Sequence, residues 1–231
     1  MPLRLVAVSF DVSDPAGVAA FWANLLGREI LKATRGVLLA GDDTQVGLRF
    51  VAAGTEKSGR NRLHLHLTSS TLEDQQHTVD TALALGGRHL DVGQLPEEGH
   101  VVLADPGGNE FCVIEPGNNF LAGCGFLGEV SCDGTRQVGL FWSDALGWPL
   151  VWDQNDETAV QSPGGGTKVS WGGPPVTPKN GRNRQRLDLT ASDVAGEVER
   201  LVALGATELG NRDGGVELAD PDGNEFLISH G

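Results

Sequence analysis

The chain has 231 residues and carries 31 acidic against 17 basic side chains, a formal net charge of −14. That balance excludes a nucleic-acid partner, because phosphate binding needs clustered Lys and Arg, and no apolar run reaches the ~20 residues of a membrane-spanning helix. Three cysteines (Cys112, Cys124 and Cys132) make no disulfide framework, and nothing ahead of Leu3 has a signal-peptide layout, so a reduced, cytoplasmic protein with a solubilising acidic surface is expected.

Leu5 to Val12 alternates, with Val6, Val8, Phe10 and Val12 on one face and Ala7, Ser9 and Asp11 on the other, the pattern of a half-covered strand. Asp14 then caps a helix with Pro15 at its first position. Val18, Phe21, Trp22 and Leu25 form its apolar stripe, and Gly27 ends it. Two strands follow, Gly36 to Ala40 and Gln45 to Val51, joined through Gly41-Asp42-Asp43. A second cycle opens with Leu63, Leu65 and Leu67 facing a helix and His64, His66 and Thr68 facing away. Ser70-Thr71-Leu72-Glu73 reads as a capping box for a helix running to Leu85, with Gly86 as its stop. His100 to Ala104 and Glu110 to Glu115 are strands joined by the turn Asp105-Pro106-Gly107-Gly108-Asn109. After the linker opened by Pro116-Gly117-Asn118-Asn119 come a strand at Leu127 to Cys132, a helix at Val138 to Leu146 and a strand at Leu150 to Asp153. A last cycle has a strand at Arg186 to Thr190, a helix capped near Ser192-Asp193 and stopped at Gly205, and a hairpin across Asp220 to Asn224.

The second half restates the first. Phe21-Trp22-Ala23-Asn24-Leu25-Leu26-Gly27 returns as Phe141-Trp142-Ser143-Asp144-Ala145-Leu146-Gly147, and Asp105-Pro106-Gly107-Gly108-Asn109-Glu110-Phe111 as Asp220-Pro221-Asp222-Gly223-Asn224-Glu225-Phe226. Lys57-Ser58-Gly59-Arg60-Asn61-Arg62 likewise returns as Lys179-Asn180-Gly181-Arg182-Asn183-Arg184. Three motifs in one order at nearly one spacing mean duplication, with domains at 1–116 and 117–231. Four strand–helix–strands units with helices on one face predict an α+β protein. Its uncovered faces carry Ser9, His64, His66 and Glu110, too polar for a core and suited to line a cleft.

The strand, the Asp-Val-Ser-Asp-Pro cap, the Phe-Trp helix with its Leu-Gly stop and the closing Asp-Pro-x-Gly-Asn-Glu-Phe together resemble the vicinal oxygen chelate superfamily, the glyoxalase/bleomycin-resistance/dioxygenase fold, over essentially the whole chain. That resemblance implies two tandem domains, each a pair of βαβββ units with a curved mixed sheet enclosing a cleft and helices outside. It does not imply one function, since the superfamily holds metal-dependent lyases, isomerases and dioxygenases beside metal-free drug binders. Its metal-ligand positions fall here on Ala7, His64 and Cys112 in the first domain and on Leu127, Arg186 and Leu227 in the second. Only His64 is a conventional ligand, with His66, Cys112 and Glu110 able to complete a sphere.

The reading is therefore a small-molecule-binding protein without a catalytic metal, acting by sequestering a drug or secondary metabolite. The alternative is a lyase, isomerase or dioxygenase with one divalent ion in domain 1. Candidate ligand-binding residues are Ser9, Phe50, His64, His66, Glu110, Cys112, Glu129, Trp171, Arg186, Asp188 and Glu217. Cys112 beside a histidine would also form a nucleophilic pair. Arg186 and Asp188 occupy the strand positions of His64 and His66, where they would pair with each other or clamp a charged guest. Glu129 and Glu217 make the second cleft the more acidic, with Trp148, Trp152 and Trp171 as a stacking wall for a cationic planar guest. Pro163-Gly164-Gly165-Gly166 and Gly172-Gly173-Pro174-Pro175 would gate that cleft. The partner is a small organic molecule, and the chain is a monomer or a homodimer.

Overall fold

The structure is a computed structural model that describes residues 3–53, 59–95 and 97–231. Lys57 and Ser58 of the sequence reading lie outside these residues. Four βαβββ units follow one another. The first is β1 (Arg4–Val12), α1 (Pro15–Leu26), β2 (Leu31–Lys32), β3 (Val37–Leu39) and β4 (Gly47–Ala52). The second is β5 (Leu63–Leu67), α2 (Leu72–Ala84), β6 (Arg88–His89), β7 (Val101–Ala104) and β8 (Glu110–Val113). The third is β9 (Leu127–Cys132), α3 (Arg136–Leu146), β10 (Leu150–Gln154), β11 (Glu157–Gln161) and β12 (Lys168–Trp171). The fourth is β13 (Gln185–Ala191), α4 (Val194–Leu204), β14 (Thr207–Arg212), β15 (Gly215–Ala219) and β16 (Glu225–His230).

Local chemistry sets the helix ends. The Asp14 carboxylate accepts from Gly17 N, Pro15 stands at the first turn and Gly27 closes α1 at φ 65°. Asp193 caps α4 in the same way, accepting from Gly196 N, and Gly205 closes it in a left-handed conformation. At α2 the expected capping box sits one residue later. Thr71 accepts from Asp74 N, and the Asp74 carboxylate reaches back to Ser70 N and Oγ. Asp74, the shorter acid, reaches the freed amide where Glu73 was expected to.

The two halves do not each close a sheet of their own. One eight-stranded mixed sheet runs β14-β15-β16-β13-β1-β4-β3-β2 and the other β10-β11-β12-β9-β5-β8-β7-β6. We call them sheet A and sheet B. Sheet A joins units one and four through the antiparallel seam β1–β13, and sheet B joins units two and three through β5–β9. Each cleft thus draws on both copies of the repeat, and residues expected in one cleft are divided between two.

The helices fill the faces away from the clefts, and α1 touches both sheets. It packs on β3 and β4 of sheet A, while Phe21 and Trp22 meet Phe111 of sheet B edge-on at 5.9 and 5.0 Å. In the second half Trp142 of α3 meets Phe226 edge-on at 4.9 Å and stacks on Trp171 at 6.5 Å. One continuous core results. The indole N–H groups of Trp22 and Trp142 donate to buried Asp105 and Asp220 in the two Asp-Pro turns, at 2.9 and 3.2 Å. That shared bond explains why the helix motif and the turn motif recur together: each holds the other in place.

Candidate functional site

On the cleft face of sheet A, charge meets charge at every level. Arg186 on β13 makes a two-pronged pair with Asp11 on β1, both bonds 2.7 Å. Asp188 accepts from Ser9 Oγ at 2.9 Å, from Arg49 Nε at 2.7 Å and from Arg35, and Arg182 pairs with Glu217. Arg186 and Asp188 are each only 4% exposed. They do not pair with each other as the sequence suggested: strand residues two apart lie roughly 7 Å apart along the strand, and partners on β1, β4 and the loop before β3 are nearer. These ion pairs leave the cleft occupied by its own side chains. Leu227, also at a family ligand position, lies beside Asp188 in the register and is an apolar filler.

Sheet B differs. His66 on β5 lies directly across from Glu129 on β9 and level with Cys112 on β8, so three adjacent strands present His, Glu and Cys at one height. His66 Nδ1 stands 2.6 Å from Glu129 Oε2, and Ser170 on β12 donates to the other carboxylate oxygen. His64 stands one step along, its ring centroid 4.7 Å from that of His66 and its strand partner Ser131. One ring nitrogen from each histidine and the Cys112 sulfur all lie within 4.8 Å of one another.

Electrostatics separates the two imidazoles. Burial, helped by the neighbouring His66, pushes His64 down to about 3, so it stays neutral with a free lone pair at ordinary pH. Burial also disfavours charge on His66, but hydrogen bonds to Cys112 and Glu129 and the Glu129 charge outweigh it and lift the group to about 10. Burial alone would raise Glu129; bonds from His66 and Ser170 and the His66 charge bring it below the usual carboxylate range.

Donor chemistry permits a divalent metal here. Two imidazoles and a thiol suit zinc, nickel or iron(II). A carboxylate bonded to the rear nitrogen of His66 is the outer-shell partner that fixes a ligating histidine. His66 would have to give up its second proton, which a cation at that point would enforce.

Other candidates are placed differently. Phe50 is fully buried and stacks on Phe10 at 5.3 Å, so it belongs to the core; Trp171, 2% exposed and stacked on Trp142, packs in the core and also borders a recess with Glu129 and Ser170. Strand alternation puts them one residue out of step with the cleft side chains Arg49 and Ser170. Leu127 is likewise core, because the register shift between His66 and Leu67, just past the His66–Glu129 pair, sets it opposite Leu67 on the buried face. Glu110 lies half-buried at the start of β8 on the Cys112 face. Glu217 belongs to sheet A and Glu129 to sheet B, so no single acidic second cleft exists. Trp148 packs against the core. The Pro163–Gly166 loop docks on the first half, where Thr167 N donates to Thr44 O at 2.7 Å, instead of gating sheet B.

Sequence reasoning missed Ser131, Ser170, Asp11, Arg35 and Arg49. Ser131, Ser170 and Arg35 carry no periodic signal of their own, whereas Asp11 stands on the alternating polar face of β1 and Arg49 interrupts an apolar strand and marks its cleft face. It also missed the linker. Leu121 and Cys124 pack with Val102, Cys112 and Ile114 into a small apolar cluster against which Phe120 rests, so the connection between the halves covers part of the sheet B cleft.

Comparison with known proteins agrees with this architecture. The model of the glyoxalase-like domain matches twice, over residues 7–114 and 129–229. Glyoxalase I from Zea mays superposes with a TM-score of 0.69 at 16% identity, covering 99% of this chain and 92% of that one. A candidate dioxygenase from Bacillus subtilis gives 0.61 at 13% identity, with 98% and 84% covered. At such identities the likeness concerns the fold. No curated protein matches the sequence. Among the described residues no helix is long and apolar enough to cross a membrane.

Proposed function

The chain belongs to the glyoxalase-like family, and from that premise we propose that it binds a small organic molecule in the cleft of sheet B, at a centre able to hold one divalent metal ion through His64, His66 and Cys112. The observation that carries this reading is the convergence of those three donors within 4.8 Å, while the cleft of sheet A is filled by its own ion pairs. His64 is the ready ligand, neutral and half-buried. Glu129 orients His66 from behind, and Ser170 fixes Glu129. A bound ion would supply Lewis acidity to an oxygen of the guest, as in a lyase, an isomerase or a dioxygenase.

A second reading is metal-free sequestration of a drug or secondary metabolite. It is favoured by the hydrogen bonds that already link Ser170, Glu129 and His66, which form a cleft wall without any ion.

Elemental mass spectrometry on tag-free protein purified without chelator separates the two. The proposal expects close to one zinc, nickel, manganese or iron per chain, before or after incubation with that ion, and its loss in His64→Ala and Cys112→Ser. A blank that persists after incubation with all four ions removes the metal reading and leaves the sequestering one.

A further inference from the structure

Beside the histidine–cysteine centre lies an open recess of about 310 Å³ that contains none of the three donors and shares with the metal reading only Glu129 and Ser170. Its floor is Glu129, Ser131 and Ser170; its walls are Trp152 of β10 and Phe120 of the linker; Glu157 stands exposed at its rim. The two rings meet edge to face at 5.6 Å and 82°, which turns them into a corner. Lys168 pins that corner from behind: its ammonium donates to the Phe120 carbonyl and stands 4.4 Å from the Phe120 ring centroid. A wall residue contributed by the connection between two repeats, and tied by a lysine, is rigid at little entropic cost to a guest.

Resting on the reading that the cleft of sheet B is the working one, we propose that this recess is the recognition subsite for the guest, and that it takes a planar aromatic molecule of one or two rings bearing hydrogen-bond donors on one edge. The aromatic corner supplies stacking area. Glu129, Ser131 and Ser170 supply acceptors at the edge nearest the histidines, so the donor edge is turned toward the centre. Lys168 offsets part of the acidic charge of Glu129 and Glu157, so shape and donor pattern select the guest more than net charge does. Sheet A offers no equivalent, because Arg182 on Glu217 and Arg186 on Asp11 fill the corresponding face.

The test titrates the full-length protein with 2-aminobenzimidazole, a planar bicycle with adjacent N–H donors, followed by calorimetry and saturation-transfer NMR. Cyclohexylguanidine carries similar donors without the aromatic plane and serves as comparator. The proposal expects saturable binding of 2-aminobenzimidazole at submillimolar concentration, at least tenfold weaker binding of cyclohexylguanidine, and at least a tenfold loss in Trp152→Ala. Phe120→Leu should lose severalfold. Zinc titrated alone should bind Trp152→Ala as it binds the wild type, which reports that the centre and the fold are intact. No saturation at millimolar probe, equal binding of both compounds, or wild-type affinity in Trp152→Ala would each overturn the subsite. Failure of the metal reading shows instead as absence of zinc binding in the wild type, and leaves the aromatic result to be judged alone.

Discussion

Arg186→Met is the substitution whose effect the structure defines most sharply. Arg186 is 4% exposed, donates twice to Asp11 at 2.7 Å and once to Asn183 O at 3.1 Å, and lies on the seam that joins unit four to unit one. Methionine keeps much of the stem's packing but leaves the Asp11 carboxylate, only 15% exposed, without its partner. Breaking a buried pair from one side costs about 3–5 kcal/mol. For a chain of this length each kcal/mol lowers Tm by about 2–4 °C, so a drop on the order of 6–20 °C is expected. Asp11→Asn in the same chain removes the orphaned charge and should restore more than half of the loss. Urea unfolding followed by circular dichroism measures both, and zinc stoichiometry, set in the other sheet, should not change. A loss below about 1 kcal/mol, or a double variant no better than the single one, would refute the view that sheet A is locked by matched charge.

Three further outcomes are expected. Burial lifts the Asp220 carboxyl to about 6 despite bonds from Asn224 and Trp142; a raised folded value means that its contribution is complete below about pH 4 and lost as pH rises through about 6, on the order of 3 kcal/mol. Relative to wild type, Asp220→Asn should therefore flatten the stability profile between pH 4 and 7, and parallel profiles would contradict this. Glu129→Gln should weaken zinc binding about 10–100-fold in chelator competition, because His66 loses its charged rear partner; an unchanged affinity would mean that His66 does not ligate. Gly139 sits on α3 where an added methyl would run into the Thr158 side chain, so Gly139→Ala should cost about 1–3 kcal/mol in urea unfolding, whereas a gain would show that β11 yields freely.

Much of the fold is written in short-range terms. Asp14, Pro15 and Gly27 mark α1 to the residue, and the alternation of Leu63, Leu65 and Leu67 with His64 and His66 assigns both faces of β5. Pairing of the units is not local. β9 and β13 follow the same pattern, so either could lie beside β1; the choice rests on side chains that meet only after folding, Arg186 with Asp11 and His66 with Glu129. For the same reason Glu129 and His66 could each be nominated from sequence while their pairing could not. The register shift that turns Leu127 to the core face opposite Leu67 has no motif, and Phe120 lies in a linker without periodicity.

The seams also differ in how far apart their strands lie along the chain. His66 and Glu129 are 63 residues apart, whereas Asp11 and Arg186 are 175 apart. Closing the longer loop carries the larger entropic penalty and delays contact formation. Sheet B is therefore expected to assemble first, from a central stretch that ends at Trp171, and sheet A to close around it when the last unit joins the first. During synthesis from the N-terminus, the histidine–cysteine centre can be complete before β13 exists. Pulse-labelled hydrogen exchange on refolding protein should then protect β5 and β9 ahead of β1 and β13. The bound guest or ion would meet a half-built protein that already has its centre, and ligand present during refolding should speed the first of the two phases.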